Sequence, residues 1–305
     1  MDTAPKKGNN ILAIYPEHTA VILGYPRRIA VGTANQVLNH CQQARDSQDK
    51  TIVFELQNTV DITPFGIVIL AGTISECLAQ KKDVKYGEPH SEDTKKFLSG
   101  IGFNDFFHIP GKKHKIEKPQ FQLKRIFSID TLLTEKIVVV FDYAVKMSEG
   151  LKGSLTMAIT EMMTNAFDHS GSKRGCYVCA QAYENLIRLC VADFGIGLYA
   201  RLVPKYSDKI QNSYGAIKLA VKEGVTTRPF GGKGLRHIQR FIEVNNGRMS
   251  ILSGDGKAVW DFGRSRSKLR KQILSLPFGG TIINLEINRD QESLYFLKDQ
   301  EGQIF

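Results

Sequence analysis

The sequence predicts an α/β protein in two parts, and three observations carry that reading. Short β-like runs alternate with helical ones over residues 10–107, and helices and strands come in blocks over 128–288. Between the two, a basic stretch containing Pro110 and Pro119 lacks any apolar period and reads as a linker over 108–127. The 305 residues suffice for about two domains of ~100–200 residues each. A composition of 42% hydrophobic and 24% charged residues is globular, not disordered.

In the first part, strands are expected at 11–15, 20–23, 51–56 and 84–86, and helices at 30–44, 66–80 and 91–99. Thr63 before Pro64 marks a helix start, with the threonine as N-cap. The second part is expected to hold helices at 131–147 and 151–169, paired strands at 174–183 and 186–192, and a long glycine-spaced region. A helix at 234–245 and strands at 248–253, 258–262 and 281–287 close it, leaving 289–305 as a tail. Helices and strands in blocks imply a two-layer α/β arrangement.

Cys176 and Cys179 lie three apart on an expected strand and so face opposite sides, which favours packing over metal binding. An odd total of five cysteines in a chain with a full-sized core fits a reduced, cytoplasmic setting. The longest apolar run, 66–79, contains Glu76 and is too short to span a bilayer; Glu17 and His18 interrupt any signal-peptide core. No membrane association is expected.

Lysine and arginine number 41 against 31 acidic residues, a net charge of +10, which points to a nucleic acid, an acidic protein or a phosphorylated small molecule. The excess gathers at Lys112, Lys113, Lys115 and Lys118 in the linker and at Arg264, Arg266, Lys268, Arg270 and Lys271 before the last strand. No aromatic residues interleave the second cluster, so a stacking site for single strands is disfavoured, while phosphate-backbone contact needs only charge. Solvated loops and an acidic protein partner rank ahead of nucleic acid.

Four segments carry chemistry. On the helix 151–169, Glu161, Asn165 and His169 are four apart and share a face beside the apolar stripe Leu155, Ile159, Met162 and Ala166. A carboxylate next to a carboxamide can orient a water or hydroxyl and hold a hydrated magnesium ion; a solvated helix face is the plainer alternative. The strand 186–192 runs into Asp193-Phe-Gly195-Ile-Gly197, where a carboxylate can accept from an exocyclic amine and glycines let backbone pass close to a planar ligand. Gly231-Gly232-Lys233-Gly234 leads into a helix, a natural phosphate cradle or a flexible capped loop. Gly279-Gly280-Thr281 opens the final strand.

Together, in this order, these segments resemble the GHKL ATP-binding domain shared by gyrase, the ninety-kilodalton heat-shock chaperone, histidine kinases and MutL, over about residues 128–288. The Glu161-x-x-x-Asn165-Ala-x-x-His169 form looks most like anti-sigma-factor serine kinases. The resemblance implies a two-layer α/β sandwich of the Bergerat type. It implies Glu161 as general base, Asn165 as magnesium ligand, Asp193 as reader of the adenine amine, and Gly195 and Gly197 as shapers of the base pocket. Gly232 and Gly234 would lie against the phosphates, Thr281 would support the adenine contact, Lys233 could meet a phosphate, and 199–230 would form a lid hinged at Gly215 and Gly224.

The first part resembles the STAS fold of bacterial anti-anti-sigma factors over residues 10–107. The resemblance rests on Thr51-Ile-Val-Phe-Glu-Leu56, Val60-Asp-Ile-Thr-Pro-Phe-Gly66 and Phe97-Leu-Ser-Gly-Ile-Gly-Phe-Asn-Asp-Phe106. In that family a serine before the glycine is phosphorylated; Phe65 stands in that place, and Thr63 is a poor substitute.

The expectation is thus an ATP- and magnesium-binding regulatory protein, a slow ATPase whose lid closure controls a protein partner. The alternatives are a serine/threonine kinase acting on a separate STAS-type protein, and a nucleotide-sensing scaffold without turnover. The helix 131–147 has no histidine to accept a phosphoryl group, which disfavours a histidine kinase; residues 288–305 are too few for the transducer domain of gyrase or MutL. The apolar helix face 137–145 is expected to serve a homodimer or to pack on the first part.

Overall fold

A computed structural model describes residues 20–107, 120–128, 131–145, 147, 149–170, 174–182, 186–222, 224–225, 234–263 and 268–288. The fold is α/β, with parallel and antiparallel sheets. The expected strand 11–15, the basic segment 108–119, Gly232, Lys233 and the tail 289–305 lie outside the described residues.

The first part is β1 (Ala20–Gly24), β2 (Arg28–Ile29), a 3-10 turn (Val31–Thr33), α1 (Ala34–Asp46), β3 (Thr51–Glu55), β4 (Asp61–Ile62), α2 (Pro64–Ala79), β5 (Asp83–Gly87) and α3 (Glu92–Gly100). Strands β1, β3 and β5 form a parallel sheet in the order β1-β3-β5, and β2 pairs with β4. Parallel neighbours require crossover connections, and α1 and α2 supply them. The buried residues of α1, Val37, Leu38, Cys41 and Ala44, form one stripe. In α2, by contrast, every residue from Pro64 to Ile74 is buried. A helix apolar all round must be covered all round. It is, because α2 touches β5 on one side and three strands of the second part on the other.

Thr63 stands at the N-cap position of α2, but its hydroxyl donates to the Ile29 carbonyl at 3.2 Å and makes no cap bond. The side chain is buried, which removes it from any modifying enzyme in this state.

The second part comprises β6 (Gln120–Ile126), α4 (Thr131–Val145), α5 (Glu149–Ser170), β7 (Cys176–Ala182), β8 (Leu186–Asp193), α6 (Gly197–Tyr206), α7 (Ser213–Ala220), α8 (Gly234–Val244), β9 (Arg248–Asp261) and β10 (Lys268–Asn288). Its strands form one antiparallel sheet in the order β6-β7-β8-β10-β9. Three expectations change here. The linker does not extend to 127, because β6 pairs with β7 and buries Leu123. The strands 248–253 and 258–262 are one strand, β9, and 281–287 is the end of the long β10. Register shifts on either side of Phe278 absorb the Pro277 and Gly279-Gly280 breaks. Lys268, Arg270 and Lys271 therefore belong to a paired strand, not to a loop. Finally, the expected lid contains α6 and α7, whose Leu202, Ala216, Ile217 and Leu219 are buried in the core; Gly215 lies in the first turn of α7, its N–H donating to Asn212, and is no hinge.

Helices α4 to α8 cover one face of this sheet. Ile137, Val138, Val140 and Phe141 of α4 belong to that core, so they face neither a second copy nor the first part. The opposite face, with Tyr177, Cys190, Ala192, Leu252 and Ile282, shares a second core with α1 and α2. The expected two-layer sandwich is thus part of a four-layer stack. The two parts meet closely at Gly72 of α2, where a Cβ would clash with the ring of Phe194. An Arg174–Glu76 ion pair at 2.9 Å also joins the two parts.

Cys176 and Cys179 do occupy opposite faces, one in each core. Burial raises the thiol pKa of both, as fits packing residues. Among the described residues no helix is long and apolar enough to cross a membrane.

Candidate functional site

Strand register sets the site. Across β7, β8, β10 and β9, the residues Cys176, Asp193, Thr281 and Ser253 stand opposite one another in a single row. The row lies on the helix-covered face, since Cys176 belongs to that core. Asp193 ends β8 with 4% of its surface exposed, and one carboxylate oxygen accepts the Gly195 N–H at 3.0 Å. Burial pushes its pKa up to about 7, opposed by the backbone N–H groups of Gly195 and Thr281 and by the charge of Arg201.

Ser253 ties the row to the turn that follows Asp193. Its Oγ accepts the Leu198 N–H at 2.8 Å and donates to the Gly280 carbonyl at 2.8 Å. The hydroxyl has one proton, so in the 3.3 Å contact with Thr281 Oγ1 the threonine is the donor. Gly280, at φ +117°, would place a Cβ 2.1 Å from the Asp193 carbonyl oxygen. Gly197, at φ +76°, opens α6 and would place one 2.8 Å from Ser253 Oγ. Close approach of the chain to itself therefore accounts for both glycines.

Glu161 and Asn165 are half-buried on α5, and neither has a hydrogen-bond or ion-pair partner among the described residues. Helix α5 packs on β8 and β10, the strands that carry Asp193 and Thr281, and on α8, which Gly234 opens. The His169 side chain lies outside the described ones.

No protein-family model matches the chain, and no curated protein matches it. The site therefore stands on its own geometry. Asp193, Gly195, Gly197 and Thr281 come together at one end of the sheet, and α5, with its unengaged carboxylate and carboxamide, packs on the same strands. Such a set offers a buried acceptor, an orienting hydroxyl row and a carboxylate able to take a proton. Ser253 completes the row, and Gly280 packs beside it against the Asp193 carbonyl; neither is among the expected site residues. A serine carries no spacing signature; its signal was the register of a β9–β10 pair that reads in sequence as separate strands.

Proposed function

We propose that the chain binds ATP with magnesium and hydrolyses it slowly, as a regulatory protein whose nucleotide state is passed to a protein partner. The GHKL-like and STAS-like resemblances motivate the reading, and the Asp193–Thr281–Ser253 row beside α5 is the observation that best supports it. In this account the Asp193 carboxylate accepts from the adenine amine, and the ring lies over the backbone of Gly195 and Gly197. Glu161, with no ion pair to hold it, takes a proton from the attacking water.

Among the described residues no cluster of three or more histidine, cysteine, aspartate or glutamate side chains could hold a metal. Magnesium does not need one, since it keeps several waters and takes ligand phosphates, so the single carboxamide of Asn165 fits it. When bound it would neutralise phosphate charge. Phe194, next to Asp193, lies against Gly72 of α2, which gives the nucleotide state a short route into the STAS-like part.

Phosphate release by wild type and Glu161→Ala tests the reading. The variant should keep ATP affinity and lose turnover by roughly 10²-fold or more. Unchanged turnover removes Glu161 from the chemistry. Label appearing on an added STAS-type protein, with little free phosphate, would favour the kinase. The buried Thr63 argues against the chain's own first part as acceptor.

A further inference from the structure

On the face of the five-stranded sheet opposite Asp193, residues 28–33 of the first part meet β9 and β10 across a cleft of about 490 Å³. Ligand pockets typically run to about 300–1,000 Å³. We propose that this cleft is a second ligand site, for a small molecule bearing a phosphate group, with Lys257 as its central cation.

Lys257 lines the cleft with only 5% of its surface exposed. Its ammonium donates to the Val31 carbonyl at 2.6 Å and forms no ion pair with any described carboxylate. A lysine has three donors, and a buried charge without a counterion is costly, so the site lacks both an anion and acceptors. Ser250, also lining the cleft, is fully buried and its Oγ has no hydrogen-bond partner. A buried hydroxyl of that kind is uncommon and calls for a ligand or a water.

The charge around these two groups is predominantly positive. Arg28, Arg248 and Arg270 also line the cleft, against Glu286 as the one acid of the lining. Arg28 is fixed by Asp61 at 2.9 Å and Arg248 by Asp261 at 2.7 Å, while Lys271, paired with Ala258, turns its side chain to the helix-covered face, over the Tyr214 ring at 4.9 Å. Lys257 is left without such a partner, and the exposed Arg270 makes no ion pair at contact distance, only a longer-range interaction with the charge of Asp261. A phosphate group supplies two charges and several acceptor oxygens, enough to engage an ammonium, a hydroxyl and a guanidinium together. Because both parts of the chain form the walls, a bound phosphate would also clamp them to each other. The site does not depend on the nucleotide reading of the opposite face: Ser250 and Ser253, three apart on β9, point to opposite sides.

Calorimetric titration of the full chain with inorganic pyrophosphate, and in parallel with ribose 5-phosphate to separate inorganic from sugar-borne phosphate, tests the proposal. Saturable uptake of one pyrophosphate or sugar phosphate per chain is expected, weakened about tenfold or more by Arg270→Glu and by Lys257→Met, the loss of one charge-assisted bond. Arg270 is exposed, so its variant keeps the test valid if Lys257→Met folds poorly. Asn165→Ala should leave uptake unchanged. No saturable uptake of either probe, uptake indifferent to Arg270→Glu, or uptake lost in Asn165→Ala instead would overturn the assignment.

Discussion

Ser253 and Ser250 stand three residues apart on β9, one on each face of the same sheet, and their hydrogen bonding differs completely. Ser253 engages Leu198, Gly280 and Thr281 and locks the turn after Asp193. Ser250 is as buried but has no partner, and neither the side-chain Oδ1 of Asn284 opposite it nor the side-chain Oε1 of Gln181 in the neighbouring row has one. The turn beside Asp193 is therefore organised before any ligand arrives. On the face shared with the first part, the polar groups around Ser250 keep bonding capacity in reserve. Buried polar groups that are satisfied make a region rigid, whereas unsatisfied ones mark a place where something is missing.

That contrast can be broken in steps. Gly280→Ala should be the most damaging change: it puts a Cβ against the Asp193 carbonyl at a positive φ, at a cost of about 3 kcal/mol or more in denaturant unfolding. Gly72→Ala forces α2 off Phe194 and should cost about 1–3 kcal/mol, with Phe194→Ala in the same chain recovering part of the loss by making room. Ser253→Ala, which strands the Leu198 N–H and the Gly280 carbonyl, should cost about 2 kcal/mol, while Ser250→Ala stays within about 0.5 kcal/mol. Equal costs for the two serines would erase the distinction between the faces.

A last expected effect depends on pH. Asp193 has its pKa raised from 3.8 to about 7, chiefly by burial, so the native state favours its protonated form. The stability this contributes is fully present below the ordinary carboxylate value and is lost as pH rises through about 7. Asp193→Asn lacks that loss. Its Tm should exceed that of wild type at pH 8, by about 2–4 °C for each kcal/mol recovered, and the gap should shrink on acidification.

Much of this was legible before the fold was known. The period of α5 put Glu161 and Asn165 on one face, and strand alternation separated Cys176 from Cys179. What could not be read were features that depend on pairing over long distances. β6 looked like linker because lysine and arginine interrupt its apolar residues, yet an edge strand tolerates them on its exposed positions. β10 looked broken because proline and glycines stand where its register shifts. The docking of α2 on β7 and β8 was hinted at by its unbroken apolar run, which suits a helix covered on both sides as well as any other buried segment. The cleft around Lys257 draws on residues more than two hundred positions apart, and no local pattern announces it.

The central claim is that the Asp193 row reads adenine. Equilibrium binding of ATP and GTP, with magnesium, to wild type and Asp193→Asn tests it most directly. The account predicts that wild type prefers ATP by about tenfold or more, the worth of one hydrogen bond to a charged acceptor, and that the asparagine variant loses the preference. Equal affinity of wild type for the two nucleotides, or binding of neither, would contradict it.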